Sequence, residues 1–100
     1  MVDLNAINTF PYIRAIAATT NNTQIKMPSR ARKITVATQS GPCLFAYEGV
    51  DNGIPSANHL FVTNHGMVEQ KIGRGKDRPQ YVYVAMQGGT GTILISFEDE

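Results

Sequence analysis

The most constraining feature of this sequence is a succession of short apolar runs that recur about every ten residues from residue 23 onward. Gly, Pro, Asn and Asp separate the runs, and within most of them apolar and polar residues alternate. Alternation puts successive side chains on opposite faces of a strand. The spacing therefore predicts about seven to eight short antiparallel strands in a single β-sandwich with jelly-roll or Greek-key-like connections.

The choice of apolar residues supports the same fold class. The 100 residues include nine Ile, seven Val and nine Thr but only four Leu. Because β-branched side chains are stiff at χ1, they fit a pleated strand better than a helix. A hydrophobic fraction of 42% with only 17% charged residues argues against a disordered tail, a coiled coil or an electrostatically driven nucleic-acid binder. We therefore expect one small all-β domain.

Seven runs from residue 23 onward are assigned to strands, and two of them are apolar on both faces, in residues 43–47 and 81–86. Residues 12–18 are consistent with either a strand or one or two helical turns. The long segment 49–56 is interpreted as a loop that would allow a crossover between sheets, and the Gly-rich segment 88–91 as a hairpin turn or bulge. The assigned strands are residues 23–27, 32–38, 43–48, 59–63, 67–72, 80–86 and 92–98.

Residues 1–11 are predicted to form an N-terminal arm, and residues 12–100 the sandwich domain. The arm mixes apolar and polar residues without a clear period. It allows either a short helical turn after Asp3, a residue type that caps helices, or an extended segment that lies on a neighbouring molecule. We expect a partner to contact the apolar side chains of this region, which are Leu4, Ile7, Phe10 and Tyr12.

Tyrosines occupy the second face of the strands that are apolar on both sides. Val82, Val84 and Met86 are expected to point inward. That leaves Tyr81 and Tyr83, together with Tyr47 of the other such strand, on whichever face is not the core. Tyrosine is enriched at protein interfaces because it combines a large apolar area with a polar tip. Tyr81 and Tyr83 are therefore candidate partner contacts, although coverage of this face by the N-terminal arm is an equally open interpretation.

The near-neutral net charge of +1 hides an uneven distribution. Three of the eight acidic residues stand at positions 98–100, so the preceding chain is basic. A cluster in a Gly-bearing loop, Arg74, Lys76 and Arg78, is predicted to contact an acidic protein surface, with a solvated loop as the simpler alternative. Nucleic acid is an improbable partner because no stacking aromatics accompany these cations.

No motif in the sequence indicates catalysis, a metal or a cofactor, so we expect a protein that is not an enzyme. The 88–91 glycines precede a strand rather than a helix, which argues against a phosphate cradle. His59 and His65 lack a third closely spaced ligand. The single Cys43 begins an apolar run and is expected to be a buried structural thiol. With no leader-like N-terminus and no membrane-length apolar run, we expect a soluble protein made in a reducing compartment.

Several segments resemble small β-sandwich virion proteins of tailed bacteriophages. They are A-R-K-I-T-V-A-T at 31–38, S-G-P-C-L-F-A at 40–46, N-G-I-P at 52–55, and the closing Y-V-Y-V-A with G-T-G-T-I-L-I at 81–85 and 89–95. The resemblance covers about residues 30–97 and implies a capsid cement or decoration protein, or a tail or head–tail accessory protein. It further implies a virion location, the major capsid protein or other virion proteins as partners, and a homo-oligomer.

Two other function classes remain open at this point. Jelly-rolls often host carbohydrate sites, and Tyr47 with Asp51 and Asn52 offers a limited set of exposed aromatic and amide groups for host recognition. A small hydrolase or cupin-like metal enzyme is the third alternative.

Overall fold

A computed structural model describes residues 1–48, 59–73, 75–76 and 78–99. Within these ranges the chain has nine strands and no helix, so no apolar helix of membrane-spanning length occurs among them. The strands are β1 (Val2–Asp3), β2 (Tyr12–Ala18), β3 (Thr23–Lys26), β4 (Lys33–Thr38), β5 (Cys43–Ala46), β6 (His59–Val62), β7 (Met67–Lys71), β8 (Tyr81–Met86) and β9 (Gly91–Glu98).

The strands form two sheets that enclose one core. The five-stranded sheet has the order β1-β3-β8-β5-β6, and the four-stranded sheet has the order β2-β9-β4-β7. Apart from β1, each sheet then contributes four strands whose sequence neighbours mostly lie in the opposite sheet, which is the eight-stranded jelly-roll arrangement. Every described pairing is antiparallel except that of β1 with β3. The expected all-β sandwich is confirmed.

The hairpin assigned to segment 88–91 is wrong. The preceding β8 pairs with β3 and β5, whereas the following β9 pairs with β2 and β4 in the other sheet. The segment is therefore an arch over the end of the sandwich. Gly89 has a φ of +68°, which glycine adopts without strain, and a Cβ at Gly91 would lie only 2.7 Å from the Cβ of Ser40.

The crossover between sheets that segment 49–56 would allow does not occur between the two strands that flank it. β5 and β6, which flank it, are antiparallel neighbours in the five-stranded sheet, with Cys43 opposite Val62 and Ala46 opposite His59. A long connection allows a crossover but does not require one, because loop-closure entropy changes only slowly with length. Residues 49–58 themselves lie outside the described part of the chain.

The core lies between the two sheets, and the alternation in the sequence identifies it. Ile34 and Val36 of β4 are fully buried while Thr35 between them is half-buried, as expected. Each such apolar side chain contributes about 1.5–3 kcal/mol on burial. Further fully buried residues are Ile25, Phe45, Val62, Val82, Val84, Met86, Ile93, Ile95 and Phe97.

The structure resolves both ambiguities near the N-terminus. Residues 12–18 form strand β2, which pairs with β9 over its whole length. In the arm, Leu4 and Ile7 enclose a single turn, in which the Ile7 amide donates to the Leu4 carbonyl at 3.0 Å. The Asn5 amide donates to the Asp3 carboxylate at 2.9 Å. Asp3 therefore caps a turn rather than a helix.

Candidate interaction surfaces

Tyr81 and Tyr83 lie on the outer face of the five-stranded sheet, opposite to the core-facing residues of β8. Both are half-buried. The Gln24 side-chain amide on β3 donates a hydrogen bond to the Tyr83 hydroxyl at 2.8 Å, and Lys26 lies opposite Tyr81 in the register. The phenol rings thus project from a fixed part of the sheet, as expected for this face of β8.

Between these tyrosines and the edge strand β6, the outward side chains of the same face are buried. We name this region, defined by Leu44, Ala46 and Ala85, the closed face. Leu44, Ala46 and Ala85 point away from the core and are nevertheless buried. In the register, Leu44 lies between Ala85 and Phe61, and Phe61 remains 46% exposed. The two-sided apolar pattern in β5 and β8 therefore corresponds to strands that are buried on both sides.

The arm residues expected to meet a partner face the chain's own core. Leu4 is only 3% exposed, and its amide donates to the Lys26 carbonyl at 2.9 Å. Ile7, Phe10 and Tyr12 are partly buried and pack against the core cluster. The strand β1 extends the five-stranded sheet through its parallel pairing with β3. These side chains thus contribute to the stability of the subunit itself.

The basic loop divides into an exposed part and an anchored part. Lys76 is exposed, Arg78 is half-buried, and Arg74 lies outside the described residues. The Arg78 Nη2 donates to the carbonyls of Pro28 at 2.6 Å and Ala31 at 3.1 Å. Burial, and then the nearby Arg32 charge, lowers the pKa of Arg78. Arg78 therefore ties this loop to the turn before β4, and of the two described cations of the loop Lys76 is the one exposed to a partner.

A small cavity of about 180 Å³ lies beside Arg78. Among the described residues that line it, Lys26 and Arg78 are cationic and none is a carboxylate. Such a lining suits an anionic group better than a cationic or purely apolar one. The described lining residues are Asn5, Lys26, Met27, Ser29, Arg78 and Gln80.

Part of the positive charge is neutralised by the acidic C-terminal tail. Arg30 approaches Asp99 at 3.7 Å. The Lys33 ammonium lies 2.9 Å from Glu69 and 3.9 Å from Glu98. The hydrogen bond and charge of Glu69, followed by the charge of Glu98, raise the pKa of Lys33 against a smaller opposing effect of burial.

The outer face of the four-stranded sheet carries an apolar surface that sequence reasoning missed. A row of residues crosses all four strands in the order Ala15, Leu94, Ala37 and Met67. Met67 is 60% exposed, and Ile13, on the same face, is 67% exposed. We name this surface, defined by Ile13, Ala15, Ala37, Met67 and Leu94, the open face. Its residues stand at the outward positions of their strands, but only the strand order shows that they adjoin.

The residues considered for chemistry do not form a reactive site within the described ranges. Cys43 is fully buried, and burial raises its pKa to about 11, which disfavours the reactive thiolate. His65 is exposed and has a φ of 63° in the turn between β6 and β7. His59 belongs to the edge strand β6. No group of three or more His, Cys, Asp or Glu side chains is placed to hold a metal ion in the part of the chain described.

Other positions considered for glycan recognition are only partly described. The Tyr47 ring packs edge-on against Phe45, with centroids 5.2 Å apart, and burial raises its pKa. Asp51 and Asn52 lie outside the described residues. Comparisons with protein-family models, curated proteins and solved structures found no match to this chain.

Proposed function

We propose that this chain is a structural component of a bacteriophage virion, a cement or decoration protein that binds neighbouring subunits of an assembled capsid. The observation that carries an assembly role is the open face, on which large apolar side chains such as Ile13 and Met67 remain exposed. Contiguous exposed apolar surface typically marks a protein–protein contact. The resemblance of residues 30–97 to small virion proteins directs the choice among assembly proteins.

A cement protein stabilises a shell by mass action, because it binds the assembled state and not the free subunits. The jelly-roll supports this role by holding most of its proposed contact residues on paired strands. Tyr81 presents a half-buried ring on β8, and Lys76 presents a cation in the loop just before β8. In the proposal, the open face contacts one shell subunit, and Tyr81, Tyr83 and Lys76 contact its neighbour, with Lys76 near an acidic region of the shell.

The N-terminal arm has a different part in this proposal. Because Leu4 is buried in the core, deletion of residues 1–11 would remove both a core side chain and strand β1. The arm is therefore proposed to position Lys26 and the adjoining side chains of Tyr81 and Tyr83. Single substitutions of exposed side chains test shell binding more cleanly than deletion.

The experiment has two parts. The first locates the chain in virus particles, and the second measures its effect on their heat stability. Particles purified from a culture that produces this chain are examined by electron microscopy with gold-labelled antibody against it. We expect label on the outer shell of the heads. The particles are then stripped of the chain, heated, and compared with stripped particles to which purified chain has been restored.

Restored chain is expected to raise the temperature at which DNA is released. The variant Tyr81→Ser is expected to bind stripped heads at least about 5-fold more weakly, because loss of an interface tyrosine removes more than about 1 kcal/mol. Gln24→Ala, which removes the side chain that holds Tyr83, should have a smaller effect. Label on tails alone would favour the accessory role, and label on neither would refute the virion proposal.

A further inference from the structure

Strand β2 forms one edge of the four-stranded sheet. In the described part of the chain it pairs with β9 on one side only, over all seven residues from Tyr12 to Ala18. An edge strand presents unpaired N–H and C=O groups, which serve as a template for another strand. Its outward residues, Ile13, Ala15 and Ala17, are all exposed and apolar.

The opposite edge of the same sheet, β7, has the features that protect an edge from pairing. It is five residues long, and Glu69 and Lys71 are exposed on it. Glu69 also forms the 2.9 Å ion pair with Lys33 on the neighbouring strand. Short length and charged side chains are the usual protection of natural edges. β2, in contrast, carries Arg14 as its only charge.

We propose that two copies of this chain associate by antiparallel pairing of β2 with β2 around a two-fold axis at Ala15. A two-fold contact uses the same surface on both copies, so the sequence of β2 must complement its own reverse. In this register Ile13 faces Ala17 of the second copy, and Arg14 faces Ile16. No like charges stand opposite each other, and the large outward side chain faces a small one.

The two-fold register also joins the two open faces. Within one subunit the row runs from Met67 through Ala37 and Leu94 to Ala15. Pairing at Ala15 continues the row in reverse order through the second copy, across a sheet of eight strands. The edge residues Ile13 and Ala17 would then lie beside apolar neighbours instead of water.

Pairing of β2 with β7 of another copy fits less well. The two strands differ in length by two residues, and exposed Glu69 and Lys71 would stand against an apolar strand. Such head-to-tail contacts also lead to rings or open filaments rather than to a closed pair. The second copy therefore binds through its own β2.

Sedimentation velocity of the full chain, from micromolar to near-millimolar concentration, tests this inference. A single strand pairing is a small interface, so we expect a reversible monomer–dimer equilibrium with a dissociation constant that is micromolar or weaker. Ala15→Lys places two lysines opposite each other at the axis and is expected to weaken the dimer at least about 10-fold, because directly opposed like charges destabilise a strand pair.

Met67→Lys is the matched control. It adds the same charge at the other end of the same row and is expected to change the dissociation constant by less than about 3-fold, because distant exposed charges are largely screened. Circular dichroism verifies that each variant is folded, and Ile13→Lys replaces Ala15→Lys if that variant is not. A wild-type chain that stays monomeric, or a dimer that Met67→Lys disrupts and Ala15→Lys does not, would overturn the inference.

This inference concerns the chain alone and is independent of the proposed virion role. A dimer that does not bind heads would refute only the proposed function. A monomeric chain that binds heads would refute only the two-fold pairing.

Discussion

On the outer face of the five-stranded sheet, Leu44, Ala46 and Ala85 are buried, whereas on the open face of the four-stranded sheet Ile13 and Met67 are 67% and 60% exposed. Both faces point away from the same core, and both carry several small apolar residues. The five-stranded sheet is thus buried on two sides at its centre and the four-stranded sheet on one. Equal hydrophobicity in two strands therefore does not mean equal contribution to stability.

This contrast separates structural residues from residues available to a partner. A side chain such as Leu44, which is already desolvated, has little further apolar area to bury on binding. An exposed side chain such as Met67 has most of its area still in contact with water. Substitutions on the closed face should consequently destabilise the fold more than substitutions on the open face.

The largest effect is expected for a charge introduced on the closed face. Ala85→Lys puts an ammonium at a position with no exposure, and burial of an unpaired charge together with overpacking costs about 3–5 kcal/mol. Ala37→Lys is the matched substitution on a central strand of the four-stranded sheet, and the cost there is expected to be about 1 kcal/mol or less. Urea unfolding, at a protein concentration too low for dimerisation, measures the free energy of unfolding of both variants.

Equal losses of unfolding free energy for Ala85→Lys and Ala37→Lys would mean that the two outer faces do not differ in burial in solution. The slope of the urea transition must stay the same for the comparison to hold, because a changed slope reports a change in the denatured state or in cooperativity.

Two leucines offer the same comparison without charge. Leu44 is 6% exposed on the closed face, and Leu94 is half-buried in the middle of the open face. Leu44→Ala is expected to lower the free energy of unfolding by about 2–3 kcal/mol and Leu94→Ala by about 1 kcal/mol, because deletion costs scale with lost burial. Thermal unfolding checks the order, and a larger loss at Leu94 would contradict it.

Cys43, on the inner side of β5, makes the stability of the fold depend on pH. Burial raises the pKa of Cys43 from 9.0 to about 11, so the folded state holds the thiol proton more tightly than the unfolded state. The stability linked to this proton is complete below pH 9 and is lost as the pH rises from 9 toward 11. The loss amounts to about 3 kcal/mol. Cys43→Ala should show a shallower fall over the same range, measured by urea unfolding.

A native thiol assay provides a separate check on Cys43. Because the side chain is fully buried, Ellman's reagent at pH 8 should label it only after unfolding. Rapid labelling of the folded chain would show that this side of β5 is open to solvent, contrary to the structure.

Local pattern was sufficient to predict which side chains of the regularly alternating strands face the core. Val82 and Val84 alternate with tyrosines, and Ile93 and Ile95 alternate with Thr92 and Leu94, so inward and outward positions follow from the period of a strand. The same reasoning correctly placed Tyr81 and Tyr83 on the outer face. Whether a residue points inward or outward depends only on its position along its own strand.

Strand order was not predictable in the same way. The glycines at 88–91 permit both a hairpin and an arch, because glycine supplies the positive φ that either connection uses. The burial of Leu4 depends on the pairing of β1 with β3, more than 20 residues further along the chain. The open face likewise exists only because β2, β9, β4 and β7 become neighbours.

The smallest predicted effect concerns two tyrosines at the margin of the closed face. The Tyr83 hydroxyl accepts a hydrogen bond from Gln24, so Tyr83→Phe should destabilise the fold by about 0.5–1.5 kcal/mol. Tyr81→Phe removes a hydroxyl for which no hydrogen bond is found among the described residues, and should change stability by less than about 0.5 kcal/mol. A double-mutant cycle with Gln24→Ala isolates the pair. If Tyr83→Phe and Tyr81→Phe are equal, the Gln24 contact adds nothing to the fold, and the Tyr83 hydroxyl becomes as available to a partner as that of Tyr81.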